Sequence, residues 1–219
     1  MQREGQLRDR ILEAAERLTM RHGFAATTVD AVLRAAGASK GAFFHHFPTK
    51  ADLGRALVER YAAADLALLD AKLTEAEAAS DDPAEQLLFL IRSFETAADD
   101  AMDAQPTCLF ISFIYERDLV DDTTSKVLAD AVLHWRRRIL DKLEAAAAKH
   151  PQLRSVDLEA LADHWFATFE GAFLLAGATG DRGVMRRQLS VLRNHLELLL
   201  GHAPTTSRQR RVGARVKNS

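Results

Sequence analysis

Apolar residues recur at three- and four-residue intervals along most of this chain, the spacing that lines one face of an α-helix. Leu7, Ile11, Ala14, Ala15 and Leu18 form the first stripe, and Gly23 supplies a left-handed stop, so a helix is predicted from Leu7 to His22. Thr28 is placed to cap a second helix, Val29 to Ala36, with Val29, Val32, Leu33 and Ala36 on its apolar face and Gly37 at its end. Ser39 caps a third, Lys40 to Phe47, which Pro48 closes. Two short helices joined by Gly37-Ala38 read as a helix-turn-helix unit. Thr49-Lys-Ala-Asp52 then forms a capping box and opens a long fourth helix to Ala79.

Beyond it, breaks at Ser80-Asp-Asp-Pro83, Gln105-Pro106-Thr107 and Asp121-Asp122-Thr123 divide the chain again. They set off a fifth helix carrying Leu87, Leu90, Ile91 and Phe94, a short sixth from Cys108 to Arg117, and a long seventh from Ser125 to Lys149. Val156 to Ala178 and Arg182 to Leu200 complete nine helices with no strand. The expected architecture is all-α. A helix-turn-helix head occupies residues 1–52, the helix over 50–79 links it to a helical body over 53–202, and residues 203–219 form a basic, disordered tail.

Composition agrees with this picture: 47% of the 219 residues are hydrophobic, while Gly and Pro number only 11 and 5. The first ten residues are charged where a signal peptide needs its apolar core, and no apolar run is long enough to cross a membrane, so a cytoplasmic location without membrane contact is expected. Cys108 is the single cysteine, which excludes an internal disulfide and a zinc site built from cysteine pairs. No cofactor is expected.

The net charge of −2 hides a strong asymmetry. Residues 1–60 carry ten Lys/Arg against seven Asp/Glu; residues 61–202 carry fourteen against twenty-four; the last seventeen residues add five basic groups and no acid. A basic head on an acidic body suits a head that meets phosphate and a body that is repelled by it.

The third helix has the chemistry for a major groove. Lys40, Gly41 and Ala42 keep its N-terminal end small, so that the backbone can approach base edges. Gly41 costs about 1 kcal/mol relative to Ala inside a helix, which points to a contact that excludes a Cβ. Phe43 and Phe47 fall on the inward face as scaffold, leaving Phe44, His45 and His46 on outward or flanking faces. Adjacent histidines point about 100° apart on a helix and have no third ligand nearby, so a metal site is not expected. Thr27, Thr28 and Lys50 stand at helix starts, where free N–H groups favour a phosphate.

The run from Thr27 to Lys50, TTVDAVLRAAGASKGAFFHHFPTK, followed by Leu53, resembles the DNA-binding head of the tetracycline-repressor (TetR/AcrR) family. The resemblance is strong over residues 7–60 and extends to the remainder only in helix number and length. It implies operator contacts from Thr28, Ser39, Lys40, Gly41, Ala42, Phe44, His45 and Lys50. Position 44 departs from the family, which usually has Tyr there; Phe44 retains only apolar contact with a sugar or a thymine methyl. The resemblance also implies a homodimer, double-stranded operator DNA as partner, and a small-molecule effector that releases it.

The last two helices are apolar on more than one side, and Gly171, Ala172 and Ala176 allow close approach. A two-fold four-helix interface is expected from Phe166, Gly171, Leu174, Leu175, Leu189, Leu192, Leu196 and Leu199. A hydrophobic effector pocket is expected among Phe89, Phe94, Cys108, Phe110, Phe113, Tyr115, His134, Trp135, Trp165 and Phe169. Cys108 at a helix start leaves open a second reading, a regulator that senses electrophiles through its thiol, as some relatives do with a cysteine in a similar Cys-Leu context. A helical adaptor without DNA binding is a third. An enzyme is not expected, since no nucleophile stands with a base and no phosphate loop is present.

Overall fold

A computed structural model describes residues 2–105, 107–116 and 121–202, with side chains from residue 5 onward. The tail expected over 203–219 and the predicted helix end at Arg117 lie outside the described residues. Among them the helices are α1 (Gln2–His22), α2 (Val29–Ala36), α3 (Lys40–His46), α4 (Lys50–Ala79), α5 (Pro83–Ala104), α6 (Leu109–Tyr115), α7 (Asp122–Lys149), α8 (Leu158–Thr179) and α9 (Val184–Leu199).

Most boundaries are set by side chains that satisfy the first free N–H groups of a helix. Thr28, Ser39, Asp121 and Asp157 accept from the backbone N–H three residues on, and Asp82 from that of Ala84, with Pro83 in the first helical position. Thr49 and Asp52 complete the expected reciprocal capping box. Gly37 ends α2 in the left-handed region at φ 59°, where its own N–H and that of Ala38 close back onto the helix.

Several ends move from their expected positions. Helix α7 starts at Asp122 because Asp121, expected inside a break, is its cap. A turn of 3₁₀-helix over Pro151–Ser155 delays α8 to Leu158, and Gly183 delays α9 to Val184. Phe47 is the C-cap of α3, in extended conformation, as the following Pro requires.

Two cores hold the molecule. The larger joins the far half of α4 to α5, α7, α8 and α9 around Leu73, Leu90, Ile139, Trp165 and Leu192. The other unites α1, α2, α3 and the start of α4 around Ile11, Phe24, Val32, Phe43, Phe47 and Leu57. This second core continues past residue 52: Leu109, Phe110 and Phe113 of α6 and Leu128 and Ala131 of α7 belong to it. Gly54 shows how closely the parts meet. A Cβ there would lie 2.7 Å from the Phe24 ring and 3.3 Å from that of Phe113.

Candidate nucleic-acid interface and enclosed cavity

Helix α3 divides cleanly into a buried and an open side. Phe43 and Phe47 are buried, their rings 5.7 Å apart, and Arg8 lies over Phe47 at 5.5 Å. Lys40, Gly41 and His45 are exposed, Phe44 is 41% exposed, and Ala42 is partly exposed. Among the described residues, nothing beyond the backbone of α3 itself and the residues adjoining Gly41 lies within 4 Å of a Cβ built on Gly41. The fold therefore does not require glycine there.

The turn before α3 is held from a distance by a residue that the sequence pattern did not single out. Arg10 of α1 donates to the carbonyls of Ala36 and Gly37 at the end of α2, where a cation also meets the negative end of the helix dipole. The side chain of Ser39 accepts from Ala42 N at 3.2 Å, and that of Thr28 from Ala31 N at 3.2 Å, so both expected contact residues also serve as caps.

Two of the expected phosphate holders stand differently. Thr27 is 2% exposed and its hydroxyl donates to the Gly23 carbonyl at 2.8 Å, which corrects the expectation of a side-chain contact with DNA: the hydroxyl is spent on the turn. Lys50 folds back, its ammonium donating to Ala25 O at 2.9 Å and lying 4.8 Å from the centre of the Phe24 ring. Partial burial lowers its pKa, and the nearby Glu116 opposes that.

A second feature lies in the body, where α4, α5, α8 and α9 line a partly open cavity of about 190 Å³ with one residue of α7 and the start of α6. Of the ten residues expected to line a pocket, Phe94, Cys108, Phe110, Trp135 and Phe169 do so. The other five are elsewhere. Trp165 is fully buried in the body core, and Phe113 packs on Phe24 at 4.6 Å in the head core. Tyr115 is 80% exposed, and Phe89 and His134 are partly exposed and outside the lining.

The polar part of the lining was not foreseen. Tyr61, Asp65, Gln105 and Glu170 all border the cavity. Gln105 donates to the Tyr61 hydroxyl, which donates to Cys108 Sγ at 3.8 Å, and Trp135 Nε1 donates to Asp65 at 2.6 Å. Burial pushes the Glu170 carboxyl up to about 7 and also raises that of Asp65. One signal was available: Glu170 interrupts the run Trp165-Phe-Ala-Thr-Phe-Glu-Gly-Ala-Phe173, the most aromatic stretch of the chain. Cys108 is 3% exposed, and burial together with the Glu170 charge drives its thiol pKa well above the ordinary range.

The expected dimer residues also separate. Leu189, Leu192 and Leu196 are each 1% exposed and pack in the body core, where α9 runs along α5; Leu199 packs partly on the same core. Leu189, Leu192 and Leu196 are corrected to intramolecular residues. Phe166 lines the cavity. Leu174 and Leu175 are 60% and 45% exposed, beside the partly exposed Gly171, and Val191 and Leu198 of α9 are each 59% exposed. His164 of α8 and His195 of α9 are also exposed, with rings 6.0 Å apart. Among the described residues, no group of three or more His, Cys, Asp or Glu could hold a metal, and no helix is long and apolar enough to cross a membrane.

Known proteins share both halves. Residues 11–57 match the family described as bacterial regulatory proteins, tetR family, and residues 83–192 match the tetracyclin repressor-like C-terminal domain. The transcriptional regulator AcuR of Cereibacter sphaeroides is 30% identical over 157 residues, which span 70% of this chain and 68% of that protein. The crystal structure of a regulatory protein TetR from Rhodobacter sphaeroides superposes with a TM-score of 0.72 at 26% identity, covering 85% of this chain and 97% of that one. A TetR-family regulator from Agrobacterium tumefaciens has the same TM-score at 24% identity, covering 88% and 98%. With its helix-turn-helix head and its all-α body both matched, the chain belongs to the TetR family of transcriptional regulators.

Proposed function

We propose that the protein is a homodimeric repressor that binds operator DNA through α3 and is released when a small molecule occupies the cavity of the body. The observation that carries the DNA-binding reading is the open side of α3. It presents Lys40, Gly41, Ala42, Phe44 and His45 outward, with a helix-weakening glycine where the fold itself leaves room for a side chain. Thr28 and Ser39 are exposed at the starts of α2 and α3, and Lys50, with one of its three N–H donors on Ala25 O, keeps the others for a phosphate.

The exposed row of Leu174, Leu175, Val191 and Leu198, with Gly171 beside it, supports dimerisation through α8 and α9. Two heads are needed for tight and selective binding to an inverted repeat.

Helix α6 supports the coupling of cavity to head. Cys108 and Phe110 at its start border the cavity. Beyond them, Phe113 stacks on Phe24, and Glu116 accepts from Ala25 N at 2.7 Å. A ligand that displaces Phe110 thus acts on the same short helix that seats the turn between α1 and α2. Deep burial of Cys108, with its thiol held neutral, favours a bound effector over the thiol-sensing alternative.

A salt-dependent gel shift with promoter and random DNA tests the reading. Gly41→Val is expected to keep the wild-type melting behaviour and to lose selective binding. Selective binding retained by the variant overturns α3 as the reading helix.

A further inference from the structure

Glu170 is a carboxylate in the wrong place for a simple core. It lies on α8 between Phe169 and Gly171, and its Oε2 is shielded from solvent without a hydrogen-bond partner. The Cys108 thiol lies against the same carboxylate. On α4, Asp65 is a second, partly buried acid of the lining, one oxygen of which is committed to Trp135 Nε1. The basic residue of the lining, Lys72, is turned to Glu75, with Nζ 2.7 Å from its carboxylate. Helices α5, α7 and α9 contribute no charged group to the lining.

The walls are aromatic. Phe94, Trp135 and Phe169 form a mutual cluster, with ring centres 5.2 to 6.0 Å apart, and Phe166 and Phe173 complete the border. Each class of ligand can be weighed against this lining. An anion would bring further negative charge beside the two acids of the lining, and the base there, Lys72, already faces Glu75. A neutral apolar ligand would fill the space and leave Glu170 unpaired. A cation with an apolar body would neutralise the carboxylate and meet the negative faces of the rings.

Resting on the reading of this cavity as the effector site, we propose that it takes a hydrophobic organic cation, such as an arylalkyl ammonium, with Glu170 as its counter-ion and Phe94, Trp135 and Phe169 as its walls. Binding then depends on pH with a definite sign. Glu170 titrates at about 7, so its ionised fraction, and with it the affinity for a permanent cation, rises roughly tenfold between pH 6 and pH 8. The other groups facing it are Tyr61 and Cys108, both driven upward by burial and neutral over that interval, and Asp65, raised by burial against the pull of its bond to Trp135.

The test is calorimetric titration of the full-length protein with benzyltrimethylammonium, with its uncharged carbon analogue neopentylbenzene, and with 3-phenylpropionate. The cation is expected to bind, to gain about tenfold from pH 6 to 8, and to lose about tenfold or more in Glu170→Gln, while neopentylbenzene shows neither that gain nor that loss. Failure of the cation to bind overturns the proposal. So does an equal affinity for the neutral or anionic probe, or a cation affinity indifferent to Glu170→Gln. Glu170→Gln is nearly isosteric, and its melting curve reports whether it folds; should it not, equal affinity of the wild type for benzyltrimethylammonium and neopentylbenzene overturns the proposal by itself. Adding operator DNA separates the two readings. A cation that binds without weakening DNA binding contradicts the effector reading alone, whereas release of DNA by a neutral ligand in the cavity overturns the cation alone.

Discussion

The open face of α3 and the cavity of the body both gather aromatic and polar side chains, but they relate differently to the fold. In α3 the duties are divided: Phe43 and Phe47 face inward and hold the helix, while Lys40, Gly41, Phe44 and His45 face outward, Phe44 and His45 meeting the neighbouring rings of Phe43 and His46 edge-on at 5.2 Å. In the cavity the same residues do both. Trp135 is in the body core, borders the cavity and donates to Asp65, and Phe169 packs on that core while facing the cavity. Substitutions on the outward face of α3 are expected to spare stability, whereas those at residues shared between core and cavity are expected to cost it.

The sharpest way to break this division is from its inward side. Phe43→Ala leaves a hole in the head core and is expected to cost about 3–5 kcal/mol in denaturant unfolding, taking DNA binding with it. A loss under about 1 kcal/mol would mean that the head is not anchored on this ring.

On the cavity side the expected effect is pH-dependent. Burial raises the folded pKa of Glu170 to about 7 from the ordinary 4.5, so the folded state binds the extra proton between those values. The stability tied to that proton is complete below about pH 4.5 and is lost as pH rises through 7, amounting to about 3 kcal/mol by linkage. Glu170→Gln should therefore be more stable than the wild type at pH 8 and lose the advantage toward pH 4.5. Parallel unfolding curves of the two proteins at each pH provide the check, and a constant difference would show that the carboxylate is solvated.

The exposed row on α8 and α9 extends the comparison to a third surface. Leu174→Glu is expected to leave a folded monomer in sedimentation. By contrast, Leu192→Ala, on the buried side of α9, should cost about 2–5 kcal/mol of stability and keep the subunits together. Exchange of these two outcomes would place the interface on the other side of the helices.

Lys50→Ala carries the smallest effect. It is expected to lower affinity for all DNA sequences alike and to reduce the slope of log affinity against log salt by about 1. An unchanged slope would leave Lys50 as a clasp on Ala25 and nothing more.

The head was legible in the sequence because its determinants are local. Thr28, Ser39 and Thr49 cap the residues that follow them, Gly37 turns the chain where it stands, and the inward pair Phe43 and Phe47 is one helical turn apart. What the sequence hid there were bonds set by folding: Thr27 turning its hydroxyl to Gly23, and Arg10 reaching Ala36 across the head. In the body the apolar periodicity located every helix but could not say which stripe met which neighbour. Leu189, Leu192 and Leu196 looked like an interface because a stripe that packs inside one chain has the same spacing as one that packs between two. The cavity was half legible, since its aromatic residues were countable while Tyr61, Asp65, Gln105 and Glu170 sit singly on helices that are apolar or solvated elsewhere.

Selection of bound fragments from random DNA by the purified protein decides whether α3 reads DNA. The wild type is expected to recover an inverted repeat whose half-sites are centred about one helical turn, or a multiple of it, apart, and a folded Gly41→Val variant to lose it. No enrichment by the wild type, or the same repeat recovered by Gly41→Val, would contradict DNA reading by α3.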